Sequence, residues 1–171
     1  MTIIGCNDTA AEIPFDLKYG YVKFDGSEDD YKTIPVLLPP HTRKTMLVFD
    51  KGDHEGLSGL WYAAPVNMHI RPAFLLTDKL KNLNIPPVVA TISQKDINND
   101  LLVTIEAKTF CHGVYLKLPP EAKPSDNFFD LLPGECRDVL VEGITGKKIS
   151  IEFVGDFIER IKFDILSQNN Y

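Results

Sequence analysis

The segment Leu101-Leu102-Val103-Thr104-Ile105-Glu106-Ala107 follows the turn signal Asn98-Asn99-Asp100 and sets Val103 and Ile105 on one face, Thr104 and Glu106 on the other. A period of two is the mark of a half-buried strand. The pattern recurs on both sides. Residues 88–93 are β-branched and alternating; residues 113–118 end at Pro119-Pro120, 128–132 at Pro133-Gly134, and 136–141 at Glu142-Gly143. Residues 148–154 and 160–166 read as a closing pair, with Ile149, Ile151 and Phe153, then Ile161, Phe163 and Ile165, alternating with polar neighbours. Short strands at intervals of about ten residues, bounded by Gly and Pro, predict a β-sandwich or a Greek-key barrel.

The upstream half reads the same way with fewer strands. Residues 15–24 alternate at first and stop at Asp25-Gly26, a hairpin-type turn signal. Further strands are expected at 32–38, 44–49, 60–66 and 70–76, and no window sustains the i, i+3, i+4, i+7 spacing of an amphipathic helix. Residues 77–87 are polar and end in Pro86-Pro87, which cannot sit inside a central strand; they read as a semi-rigid, extended linker. The expected organisation is two all-β domains in tandem, 1–81 and 86–171.

Composition bounds the function. With 171 residues, 44% hydrophobic and 25% charged, the chain has an ordinary globular balance. The net charge is 18 minus 24, or -6, and the only adjacent basic pairs are Arg43-Lys44 and Lys147-Lys148. Replacing phosphate counterions requires clustered Lys and Arg, so nucleic acid is excluded as a partner. No apolar run approaches the roughly 18 residues of a membrane span, and the N-terminus lacks the basic and apolar regions of a signal peptide. The compartment stays open.

No reactive constellation is legible. Cys6, Cys111 and Cys136 show no CxxC spacing and read as buried thiols, with Cys111 and Cys136 pairing only in an oxidising compartment. The triplet Asn7-Asp8-Thr9 matches a glycosylation sequon but is common by chance. His41, His54, His69 and His112 fall into no metal-ligand spacing, and Asp53-His54-Glu55 lies in a Gly-flanked loop where charge is the solvated choice. A nucleophile elbow, a Walker loop and a dinucleotide fingerprint are all absent. We therefore expect no catalytic residue, no metal and no cofactor. Tyr19, Tyr21, Trp61 and Tyr62, with Phe128 and Phe129, are candidate sugar-stacking platforms, against the alternative that they fill the core. Trp61 and Tyr62 are the sharper pair, because adjacent strand residues face opposite ways and one ring must point away from the core.

One stretch carries a more specific signal. Cys111-His112-Gly113-Val114-Tyr115-Leu116-Lys117-Leu118, followed by Ser125-Asp126-Asn127-Phe128-Phe129-Asp130-Leu131-Leu132-Pro133-Gly134-Glu135, resembles the C-terminal immunoglobulin-like domain of β-mannosidases in family 2 of the glycoside hydrolases. In that family a strand leads to a DNxFDLxPGE corner. Asp126 and Asn127 suit local backbone hydrogen bonds, Phe128 and Leu131 are expected to anchor the corner in the core, Asp130 stands between them, and Pro133-Gly134 makes the turn. It is a fold motif without chemistry of its own. More weakly, Gly5-Cys6-Asn7-Asp8, Tyr21-Val22-Lys23-Phe24-Asp25-Gly26 and Arg71-Pro72-Ala73-Phe74-Leu75-Leu76 are similar to the preceding domain of those enzymes.

The resemblance implies two immunoglobulin-like sandwiches, the first lacking its opening strand and so exposing an edge. It also implies a parent whose catalytic acid and nucleophile lie in a barrel of about 250 residues, for which this chain has no room. The expected role is a noncatalytic accessory region of a glycosidase that hydrolyses terminal β-D-mannosides, partnered by the barrel and other domains of the parent. A stand-alone carbohydrate-binding or adhesion module, taking mannose-containing glycans, is the alternative.

Overall fold

The computed structural model describes residues 1–27, 29–48, 58–66, 68, 70 and 72–156. The loop carrying His54, and His69, Arg71 and the strand expected at 160–166, lie outside the described residues. The chain divides into two compact units, Met1–Lys23 with Glu28–Leu83, and Phe24–Ser27 with Asn84–Tyr171.

The first unit is built from β1 (Thr2–Asn7), β2 (Ile13–Lys23), β3 (Asp29–Leu38), β4 (Thr42–Val48), β5 (Gly59–Pro65) and β6 (Ala73–Leu76). All pairings are antiparallel, in a two-stranded sheet β1-β4 and a four-stranded sheet β3-β2-β5-β6. Among the described residues, then, six strands precede Thr77, and β1 lies at a sheet edge. The long β2 pairs with β3 along one edge and with β5 along the other. Gly20 sits opposite Tyr31 on β3 and Tyr62 on β5, and those two rings meet edge to face across the gap, centroids 5.6 Å apart. A β-carbon on Gly20 would overlap the Asp30 carbonyl oxygen and lie 2.9 Å from Tyr31 Cα.

Leu17, Tyr21, Leu38, Leu60 and Trp61 form the buried apolar set around this sheet. Tyr21 and Trp61 pack edge to face at 5.5 Å, and burial pushes the Tyr21 hydroxyl above its usual range. Among the described residues, Asn7 is the buried polar one. Its Nδ2 donates to the carbonyls of Ala11, Leu38 and Pro39 at 2.8, 3.1 and 3.0 Å, and its Oδ1 accepts from Thr9 N and Thr9 Oγ1 at 3.0 and 2.8 Å. A buried amide must be satisfied internally, and here it is. The sequon nitrogen is therefore spent on holding a turn.

The second unit contains β7 (Ala90–Ile97), β8 (Asp100–Ala107), β9 (Cys111–Lys117), β10 (Lys123–Pro124), β11 (Phe129–Leu131), β12 (Cys136–Glu142) and β13 (Ser150–Phe153). A four-stranded sheet β10-β12-β8-β7 and a three-stranded sheet β11-β9-β13 enclose one core. Strict alternation along β8 buries Leu101, Val103, Ile105 and Ala107, while Val139 and Val141 do the same from β12. Phe24, fully buried in this unit, stacks on Phe110 at 5.1 Å, and Phe110 N donates to the Phe24 carbonyl at 2.7 Å. The two-residue β10 is too short for any periodicity to announce.

The stretch 77–87 is less uniformly polar in effect than in composition. Asp78 accepts from Lys79 N at 2.6 Å and from Asn82 Nδ2 at 3.1 Å, around a 3-10 turn at Leu80–Asn82. Leu83, which belongs to the first unit, and Ile85, which belongs to the second, are both buried, so the expected semi-rigid linker carries two covered apolar side chains. A few apolar residues scattered through a polar run give no periodic signal, yet burying Leu83 and Ile85 contributes about 1.5–3 kcal/mol each.

Because Trp61 is the single tryptophan and lies in the first unit, its fluorescence reports unfolding of that unit. Gly20→Ala is expected to shift the Trp61 denaturant transition downward by about 1–3 kcal/mol, since the added carbon must push β3 away.

Candidate functional site

The 125–135 corner is held by side chains that bond backbone. Asp126 accepts from Asn127 N at 2.9 Å and pairs with Arg137 Nη1 at 2.8 Å, while the Arg137 guanidinium lies over the Phe129 ring, 4.6 Å from its centroid. The Asn127 side chain acts as a surrogate strand: Oδ1 accepts from Leu116 N at 2.8 Å and Nδ2 donates to the Leu116 carbonyl at 3.2 Å. Gly134 has φ 82, in the left-handed region that favours glycine, and donates to the Ala107 carbonyl at 2.8 Å. Glu135 closes the turn by accepting from Leu132 N at 2.9 Å.

Asp130 does a different job. On β9, Cys111, Val114 and Leu116 are all buried, which simple alternation does not allow. The register shows how: Phe129 pairs with Val114 and Leu131 with Cys111, so three steps on β9 face two on β11. The extra residue is a bulge, and Gly113 takes it at φ 60. Asp130 Oδ1 accepts from Gly113 N at 2.6 Å and contacts His112 Nδ1 at 2.9 Å. Each polar member of the motif is thus engaged by the fold itself.

One assignment within the motif needs correction. Phe128 does not anchor the core: it is 68% exposed with φ 57, and stacks on Tyr115 at 4.6 Å. The anchors are Phe129, Leu131 and Leu132. With Asn127 occupied at Leu116, the chain turns through a left-handed step at Phe128, which moves burial one residue on. In sequence, adjacent phenylalanines are interchangeable candidates, and only the backbone decides between them.

Trp61 and Tyr62 are separated by the sheet as their adjacency predicts. Trp61 is buried at 6% exposure; Tyr62 is half-buried against Tyr31, which also receives Lys18 Nζ 3.6 Å from its ring centroid. Both residues touch a groove of about 230 Å³ lined also by Met1, Ile3, Ile4 and Phe74. A ligand site needs convergent polar groups to fix orientation, and the side chains along this groove are mostly aliphatic and aromatic, with no charged group among them. It is a gap between the two sheets of the first unit.

The cysteines differ from the sequence reading. Cys111 is buried, but Cys6 and Cys136 are exposed, and all three are free thiols. Cys136 opens β12 with its side chain outward, at a position where alternation gives no apolar partner. Burial first, then the carboxylates of Asp156 and Asp130, push the Cys111 thiol up to about 12. His41 is exposed and His112 is tied to Asp130, so no histidine pairs with a nucleophile among the described residues.

Asp130→Ala strands the Gly113 amide and is expected to destabilise the second unit by about 1–3 kcal/mol, read by denaturant unfolding followed by circular dichroism. Asp130→Asn keeps an acceptor and should lose less. A thiolate-specific disulfide reagent at pH 8 is expected to label Cys6 and Cys136 in the native chain and Cys111 only after unfolding, checked by mass spectrometry of the peptides.

Comparison with known proteins follows the same geometry. Residues 82–156 match the Ig_mannosidase family model, an Ig-fold domain. No curated protein matches the chain. Among solved structures, the fold is similar to a β-D-mannosidase from Dictyoglomus thermophilum, with TM-score 0.74 and 21% identity over 89% of this chain. The chain spans 20% of that protein's length. The corner, the bulge and the sandwich around them agree with this match, and the Ig-like fold that the motif implied is the fold of the second unit.

Proposed function

We propose that the chain serves as a noncatalytic accessory region of a β-mannosidase-type glycoside hydrolase, with residues 1–81 and 86–171 as its two immunoglobulin-like modules. The observation that carries this reading is the match of residues 82–156 to the Ig_mannosidase family, joined to the way the corner motif spends its polar groups on backbone. In this reading the parent hydrolyses terminal β-D-mannosides in a separate catalytic barrel. The accessory region packs against that barrel and supports it. Glycoside hydrolysis needs two carboxyl groups facing each other across a substrate cleft, about 5–9.5 Å apart. Here Asp126, Asp130 and Glu135, the acids of the motif, are turned to an arginine, a histidine and main-chain amides instead.

The purified chain is expected to release no nitrophenol from p-nitrophenyl β-D-mannopyranoside above the uncatalysed rate. Turnover that a single Asp or Glu substitution abolishes would overturn the reading.

A further inference from the structure

We propose that Phe128 and Tyr115 form a carbohydrate-stacking platform on the outer face of the β11-β9-β13 sheet, suited to a β-linked hexopyranose.

Of the second unit's two candidate platforms, the structure buries Phe129 and leaves Phe128 out, at 6% and 68% exposure. Phe128 is held there at a cost. Its φ of 57 is unfavourable for a bulky side chain, and an apolar ring in water adds to that. The conformation is enforced by Asn127, whose Oδ1 accepts from Phe128 N at 3.1 Å while also binding Leu116 N. The ring is stacked on Tyr115 with 25° between planes, so the pair presents the outer face of Phe128, backed by Tyr115 and so fixed to a strand.

The rim of this surface is polar. Glu152 on β13 is directly opposite Tyr115 in the antiparallel register, and Lys117 lies two residues on along the same face of β9. Their side chains are 39% and 65% exposed and stand 3.6 Å apart. Lys and Glu are the residues that protein interfaces exclude from their centres, whereas a sugar needs an apolar floor with an acceptor and a donor beside it. A β-mannoside has that shape: H1, H3 and H5 lie on one face, and equatorial hydroxyls project from the ring edge. An α-mannoside carries an axial oxygen on each face, O1 on one and O2 on the other, and cannot lie flat.

This choice of sugar rests on the mannosidase-type reading of the second unit, but the platform does not. The test is a titration of the full, nitrogen-15-labelled chain, followed by amide shifts, with methyl β-D-mannopyranoside, methyl α-D-mannopyranoside and β-1,4-mannohexaose. The β-glycoside and the hexaose are expected to move the amides of Tyr115, Lys117, Phe128 and Glu152, and the α-glycoside to leave them still. Phe128→Asn removes the ring with a residue at ease at positive φ, and should weaken hexaose binding about three- to tenfold with the remaining spectrum intact. No response to hexaose, shifts elsewhere, equal response to the α-glycoside, or full affinity in Phe128→Asn overturns the platform. Silence here leaves the accessory reading standing; turnover of nitrophenyl mannoside removes that reading and leaves the platform.

Discussion

The bulge at Gly113 is the constraint on which the second unit depends. One extra residue in β9 changes the phase of alternation, so that Cys111 before it and Val114 and Leu116 after it all enter the same core. A bulge leaves an amide outside the ladder, and Asp130 supplies the missing acceptor from the neighbouring strand. Gly113 is fitted to this place twice over, by its φ of 60 and because a β-carbon would lie 2.7 Å from a Val154 methyl. The same phase change turns Tyr115 outward, which makes the bulge the origin of the exposed aromatic surface as well as of the core.

Around that bulge the motif works as a set of backbone surrogates. Asn127 imitates a strand residue toward Leu116, Glu135 imitates a turn, and the half-buried Arg137–Asp126 pair shields Phe129. Side chains so engaged are poorly placed to move protons for a substrate. Chemically dense sequence and catalytic sequence look alike until the partners of each group are known, and here the partners are main-chain atoms. Cys111 follows the same logic, since its burial among carboxylates suppresses the thiolate that reactivity requires.

Much of this was legible beforehand. Alternation in 101–107 and the Gly and Pro punctuation marked most strands, because a half-buried sheet imposes a period of two on any sequence that forms it. The corner was legible because turn chemistry at Asp126-Asn127 and Pro133-Gly134 is local. What escaped was non-local: β10, with two residues, and the burial of Leu83 and Ile85 within a polar run. The exposed Cys6 and Cys136 escaped for a related reason, because burial of a small residue is set by strand phase rather than by its own character.

The amino-acid sequence by itself determined the all-β class and the corner's family likeness, each written in residues within a strand or turn of one another. The tertiary structure alone decided which of Phe128 and Phe129 enters the core, that Trp61 is buried while Tyr62 is only half-covered, and that Asp130 binds an amide rather than a substrate. Those outcomes turn on strand phase and cross-strand register, and a shift of one residue reverses the facing of every side chain beyond it.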